Sequence, residues 1–596
     1  MIEFEDTWRV IVADCLLGKY LNFSDQLMLA QLNRLFCQMC KPVWQSMWKT
    51  RCEFARPAEL AWCFQLAICK HKLDHVKVML QPMASRMTSP QVRRKLFTPD
   101  SLKNSLLLTV NDHWELNTVA RKDYYVETPS YLFLAIQEGQ EEIVNVLLEV
   151  GGRELVLICK IDGSSSLFAV IEANNMTMMH MLLRVGGIEL TLLLRDDDVS
   201  ALYFCAEYGN LPALKSILWT LSPLDWRHRC APDLLMLCAN DGASCLYVAA
   251  EKGNFDVVLF LTSHLHSSAA KKLLLMRKHN MSTCLHASAK HGHILITRYL
   301  LKIGGQELLY MKENSGASCL FVSAEAGQEE TVEELIKAGG TTLLMMTSYG
   351  VTCLAVAARH GHFNVVSLLL KAGGSELLRH TNPTQYTWSA GSCLHAAVVG
   401  GNLKIVKLLV ETGGRELLMF CDSVGSCLHS ASRSFTPGIL EVVQFLVKEG
   451  GRELLLKTTS DGLTCLHIAA NEGQLSVVQE LCKVGGLELL TKCCKYKRSC
   501  LFSSAEQGRE DIINYLLGQG GRDLLLMTDW QGCSCLFAAV SDGHTDSVEI
   551  LLKAGGRELL TLLTHDGTTC YDAALAQNFT GIAQMLRDFE YATRDQ

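Results

Sequence analysis

A short apolar segment returns along most of this chain at a spacing of about 35 residues, and that period leaves few folds open. Its fullest copy is Asp461-Gly-Leu-Thr-Cys-Leu-His467-Ile-Ala-Ala-Asn-Glu-Gly-Gln474. The leucine after its Thr-Cys marks each copy: Leu132, Leu167, Leu202, Leu246, Leu285, Leu320, Leu354, Leu394, Leu428, Leu466, Leu501, Leu536 and, in the last, Tyr571. Successive steps are 35, 35, 44, 39, 35, 34, 40, 34, 38, 35, 35 and 35 residues, which makes thirteen repeats. A period of this length is the mark of stacked supersecondary units, each burying its apolar face only against its neighbours. At 596 residues the chain is also too long for one compact core.

Each repeat reads as two short helices. The first carries a small pair, such as Ala469-Ala470, Ala249-Ala250 or Ala357-Ala358, that lets a neighbouring helix approach closely. A glycine (Gly253, Gly361, Gly473) then turns the chain, since it takes positive φ without steric cost. The second helix repeats apolar residues at i, i+1, i+4 and i+5, as in Ile143, Val144, Leu147, Leu148 or Ile512, Ile513, Leu516, Leu517. That is one face of a helix and not a strand alternation. Ten repeats place Gly-Gly next, from Gly151-Gly152 to Gly555-Gly556, where the pattern predicts the helix to end.

These repeats resemble the ankyrin signature Thr-Pro-Leu-His-x-Ala-Ala-x-x-Gly-His. Leu354 to His362 shows its second half, and Leu285-His286, Leu394-His395 and Leu466-His467 show the Leu-His step. The resemblance spans residues 128–596 and implies an all-α solenoid of helix pairs, each followed by a projecting β-hairpin loop. Two departures stand out. Cysteine replaces the signature proline in ten repeats: Cys245, Cys284, Cys319, Cys353, Cys393, Cys427, Cys465, Cys500, Cys535 and Cys570. The connection after Gly-Gly runs Arg-Glu-Leu-Leu, as at Arg415–Leu418 and Arg557–Leu560, and is two residues longer than the common ankyrin loop. The fingers are therefore expected to differ in shape from the family pattern.

Residues 1–55 stand apart as a small helical module, and 56–127 as a connecting segment with a degenerate helix pair near Glu59–Leu80. The run Cys15-Leu16-Leu17-x-x-Tyr20-Leu21, with Asp25, Leu27, Leu29, Leu32 and Phe36 and then Trp44 and Trp48, resembles an F-box. That family docks on the adaptor subunit of cullin–RING ubiquitin ligases, which would assign adaptor contact to Leu16, Leu17, Leu21 and Leu27. Its usual Leu-Pro opening is missing, with Thr7-Trp8 near that place. The same spacing also suits a helical cap on the end of the stack.

The 25 cysteines suggest neither disulfides nor zinc. Equivalent positions in stacked helices lie roughly 10 Å apart, beyond the ~7 Å that a disulfide allows and beyond a shared ion. Cysteine here reads as a small buried hydrophobe, and the histidines of the Leu-His and Gly-His positions as structural. No nucleophile elbow, phosphate loop or His-Glu-x-x-His pair occurs, so no enzyme activity, cofactor or metal is expected. A net charge of −7 argues against nucleic acid, and no run of about 18 apolar residues argues for a membrane span. With no basic and apolar leader, the expected setting is the cytoplasm or nucleus.

The expected function is a protein-interaction scaffold. In ankyrin proteins partners dock on hairpin tips and the exposed part of the first helix, here the residues before each turn glycine. Carried over, that gives Glu207, Tyr208, Glu251, Lys252, Lys290, His291, Arg359, His360, Asn471, Glu472, Glu506 and Gln507 as partner-binding candidates.

Overall fold

The computed structural model describes residues 131–592, except 161, 222–234, 264–266, 380–390 and 423, together with the strand Tyr125–Val126. It divides into two compact bodies, Met1–Cys245 with Leu259–Ala269 and Leu246–Val258 with Ala270–Gln596. Among the described residues the first body holds three helix pairs: Tyr131–Gln137 with Glu141–Val156, Ser166–Glu172 with Met176–Leu192, and Ala201–Tyr208 with Leu211–Leu221. The second holds nine, from Cys284–Lys290 with Ile294–Leu309 through to Cys570–Ala576 with Thr580–Ala592. The pair Cys245–Lys252 with Phe255–Ser263 lies at the division. A helix pair therefore occupies each of the thirteen expected repeats. The degenerate pair near residues 59–80 and the module at 1–55 lie outside the described residues.

The marker leucines form the spine of the core. All twelve, from Leu132 to Leu536, are at most 3% exposed. Each such burial is worth roughly 1.5–3 kcal/mol. Ala249-Ala250, Ala357-Ala358 and Ala469-Ala470 are fully buried, so neighbouring first helices meet at the small residues as their size allows. On the second helices Ile143, Val144, Leu147 and Leu148 are buried as the stripe predicts.

The second helix ends at Gly-Gly as the pattern predicts, and a further helical turn follows it. In all ten repeats the second glycine alone leaves helical geometry, with φ between +52° and +60° and ψ between −160° and −145°. The chain then re-enters a helical turn over Arg-Glu-Leu-Leu. The two glycines serve different ends. A Cβ on the first, Gly555, would lie 2.6 Å from Cβ of Leu559, so its bare backbone is the surface on which that leucine packs. A Cβ on the second, Gly556, would meet nothing within 4 Å, but φ there is +53°, a backbone that L side chains resist. The turn resumes because it buries its leucines: Leu454 and Leu455 are 0% and 2% exposed. This third helix takes up most of the length that a hairpin finger would need. Among the described residues two fingers pair as short strands, Thr347–Ser348 with Val351–Thr352 and Cys421–Asp422 with Gly425–Ser426, and five more close by a single antiparallel bridge, such as Thr458 to Thr464.

The third helix also explains the cysteine ladder. Its last carbonyl has no partner within the helix. In eight repeats the ladder thiol donates to it, at 3.4–3.7 Å: Cys245 to Leu235, Cys284 to Leu274, Cys319 to Leu309, Cys353 to Leu344, Cys427 to Leu418, Cys465 to Leu455, Cys500 to Leu490 and Cys535 to Leu525. Ser166 makes the same bond to Val156 at 3.2 Å. Proline at this position could donate nothing, so the longer connection and the cysteine belong together. All ten ladder cysteines are buried and none forms a disulfide. Burial pushes those of Cys284, Cys319, Cys353 and Cys465 up to about 12, which keeps them protonated donors.

Three sets of polar bonds join one repeat to the next. The Leu-His histidines complete capping boxes with Thr283, Ser392, Ser426 and Thr464. Nδ1 of His467 accepts from the Thr464 hydroxyl at 2.7 Å, while Nε2 donates to the Arg498 carbonyl of the next repeat at 3.0 Å. His286, His395 and His429 reach Ala317, Gly425 and Leu463 in the same way. At the finger tips a backbone N–H meets the preceding tip's carbonyl: Asp196 to Asp162, Asn314 to Asn280, Lys495 to Asp461, Trp530 to Tyr496 and His565 to Gln531, at 2.7–3.0 Å. On the third helices Arg452 pairs with Glu488 at 2.6 Å, and Arg153, Arg415 and Arg522 pair likewise with Glu189, Glu453 and Glu558. These ion pairs are exposed, so solvent screens them and their contribution is small.

Two outcomes follow from this architecture. Gly555→Ala and Gly556→Ala should each cost roughly 1–3 kcal/mol, the first through collision and the second through backbone strain. Adding Leu559→Ala should relieve part of the first loss and none of the second, so a double-mutant cycle from denaturant melts separates them; equal coupling would contradict the assignment. The second outcome concerns pH. A neutral ring is required because Nδ1 accepts while Nε2 donates, and burial holds His286, His429 and His467 down to about 4 from an ordinary 6.5. The unfolded chain takes up these protons first as pH falls, so stability should drop from pH 6.5 towards 4, by on the order of 2 kcal/mol per ring at pH 5. Melting temperatures between pH 7.5 and 4.5 check this, and His429→Gln with His467→Gln should flatten the slope.

Candidate partner-binding surface

The first helices and the finger tips share one face of each repeat, and the twelve candidate residues stand at the C-terminal ends of those helices. The turn glycine beside them has two duties. Gly253 and Gly361 take φ of +83°, and the space over Gly253 is filled by the next repeat's His293, 2.6 Å from where a Cβ would stand. His293 then donates from Nε2 to the Glu251 carbonyl at 2.8 Å, His362 to Glu325 at 2.9 Å and His544 to Glu506 at 3.0 Å. Gln328 and Arg509 make the equivalent bonds to Lys290 and Asn471. The Gly-His histidines are thus structural, as their position in the repeat suggests.

These bonds divide the candidates. Glu251, Lys290, Asn471 and Glu506 have committed backbones, whereas Tyr208, Lys252, Lys290, His291, His360 and Gln507 present exposed side chains. Glu207, Glu251, Arg359, Asn471, Glu472 and Glu506 are half-buried. Glu207 and Tyr208 belong to the first body and the other ten to the second. Within the second, His291 stands 3.9 Å from the Glu251 carboxylate across neighbouring repeats. Asn471-Glu472 and Glu506-Gln507 end consecutive first helices, while Arg359-His360 lies several repeats away. The twelve therefore line a surface without forming a single cluster. Leu16, Leu17, Leu21 and Leu27 lie outside the described residues.

The tips hold groups that the sequence reading passed over. Tyr496 and Trp530 are 51% and 53% exposed, and the bond from Trp530 N–H to the Tyr496 carbonyl makes them neighbours. Lys495 and Lys497 flank Tyr496 and are also exposed. Lys497 has φ of +57°, at a position that most repeats give to glycine, such as Gly462 and Gly532. Holding a lysine there costs about 1 kcal/mol, and strain of this kind gathers at functional sites. The base beneath is rigid. Asp529 is buried, accepts the N–H groups of Gln531 and Cys533 at 2.9 Å, and lies 3.8 Å from Arg498 Nε. Arg498 continues to Glu506 at 3.1 Å and lies over the Phe502 ring at 4.8 Å. The tip bearing Trp530 is thereby tied to the candidate Glu506. The available signal was an aromatic residue where other tips carry Asp or Asn, such as Asp461 and Asn280.

A family model described as ankyrin repeats matches residues 265–344, 305–380 and 428–528. Residues 265–380 and 428–528 thus carry ankyrin repeats. No curated protein is similar enough to the whole sequence to stand as a relative. Repeats of this family serve protein–protein interaction, and the ankyrin array here offers an extended surface. Among the described residues no helix is long and apolar enough to cross a membrane, and no three His, Cys, Asp or Glu side chains gather as metal ligands.

Proposed function

We propose that this ankyrin array is a scaffold that holds a protein partner on the face made by its first helices and finger tips. The observation that carries the reading is the adjacent exposed pair Tyr496 and Trp530 on a tip fixed by Arg498 and Asp529. Rigid aromatic side chains give large contact area at small entropic cost, and interface hot spots are enriched in Trp, Tyr and Arg. Glu506, Gln507, Asn471 and Glu472 extend the surface along the neighbouring helices, and Glu251, Lys252, Lys290, His291, Arg359 and His360 line its earlier repeats. In the first body Glu207 and Tyr208 hold the same position. A partner of the cullin–RING adaptor type is assigned to residues 1–55, with Leu16, Leu17, Leu21 and Leu27 as its contacts. The chain would then present a protein bound on its repeats to a ubiquitin ligase.

Tyr496→Ala with Trp530→Ala should leave the melting curve within about 0.5 kcal/mol of the parent, since both side chains are exposed. The same variant should lose at least tenfold of a defined set of proteins in quantitative affinity capture. An unchanged captured set would reject the surface. Separately, Leu21→Asp with Leu27→Asp should abolish capture of the ligase adaptor while the melt stays intact, because a charge cannot replace an apolar contact. A lowered melt with no adaptor captured by the parent would make the segment a cap and leave the array a scaffold without a ligase link.

A further inference from the structure

The second helices of the first body hold a recess on the opposite side of the repeat from the surface above. It lies between Met176–Leu192 and Leu211–Leu221 and has a volume of about 450 Å³. His180 and Arg184, one helical turn apart, form one wall; Lys215, Ser216 and Trp219 form the other, with Leu183 between them. Among the described residues no carboxylate lines it. The sequence goes further, because Met176–Ile188 and Leu211–Leu221 contain no Asp or Glu at all, in a chain of net charge −7.

One equivalent position is neutralised. Where the repeats marked by Leu285 and Leu320 oppose Arg298 to Glu334 at 3.0 Å, this pair sets His180 against Ser216 at 3.3 Å. The Ser216 hydroxyl is already spent on the Pro212 carbonyl at 3.0 Å, so it accepts from His180 Nε2 and offers no negative charge. Lys215 stands 5.2 Å over the Phe260 ring, which orients the ammonium without neutralising it. Arg184 has no ion pair among the described residues. The Trp219 indole, 63% exposed, closes the rim.

We propose that this recess binds a phosphorylated side chain of a protein segment. Two permanent cations and an imidazole around a space of side-chain size, with no competing acid among the described residues, suit a dianionic phosphate. The indole beside them gives the residue next to the phosphate an apolar contact. A recess takes one group from a flexible segment, whereas a bilayer requires a protruding surface. A nucleic-acid strand requires a track of cations, and here there are two.

The test uses the full chain and three probes: N-acetyl-phosphotyrosine amide, its unphosphorylated counterpart, and vesicles with one quarter phosphatidylserine. Phosphorus NMR of the phosphorylated probe should give saturable binding in the millimolar range, weakened at least tenfold by Arg184→Gln with Lys215→Gln. The circular-dichroism melt of that variant should match the parent, since both side chains are solvent-facing. Trp219→Ala should weaken binding severalfold. Equal binding of the unphosphorylated probe, binding undiminished in the double variant, or sedimentation with vesicles without capture of the phosphorylated probe would each overturn the proposal.

Discussion

A two-helix repeat of about 35 residues has apolar surface on both sides and can bury it only by stacking. Everything else in this protein answers the problem that stacking raises, namely where the polar backbone groups at each helix end go once neighbours close over them. The histidine reaching from Thr464 to the Arg498 carbonyl answers it at the start of the first helix. The ring that fills the hollow over the turn glycine answers it at that helix's end. Each solution spans two repeats, so register between neighbours is fixed by hydrogen bonds as well as by packing.

The same logic accounts for the departures from the family signature. A connection longer by two residues becomes a third helical turn, and a turn creates a terminal carbonyl inside the core. The thiol of the next first helix supplies the missing donor, with Ser166 showing that a hydroxyl can do the same. The glycine pair is what lets the turn form: one glycine bares the backbone for a leucine, and the other takes a dihedral that only glycine adopts readily. Five sequence features, Gly, Gly, Leu, Leu and Cys, thus serve one local structure.

With the core and the repeat junctions so fully committed, binding capacity is left to positions the stacking does not use. Two kinds of departure from the repeat pattern mark them. At Lys495-Tyr496-Lys497 and Trp530 the tip gains exposed aromatics and a strained lysine. At His180 and Ser216 a position that carries an ion pair between Arg298 and Glu334 has no carboxylate. The first lies on finger tips of the second body, and the second on second helices of the first body.

The sequence by itself determined the helix pairs, their number, the core leucines and the turn glycines, because burial and positive φ impose residue types at fixed spacing. The buried, disulfide-free state of the ladder cysteines was legible for the same reason, since stacking distance forbids their union. What the cysteines and the second Gly-Gly residue do was decided only by tertiary structure. A helical turn and a loop of the same composition differ by where two leucines find burial, and that depends on the neighbouring repeat. The candidates before the turn glycines were legible as a surface, but not which of their backbones the next repeat would claim. Tyr496 and Trp530 stand 34 residues apart in sequence and meet only through one bond between tips. His180 and Ser216 are brought together in the same way, by the packing of one helix against the next.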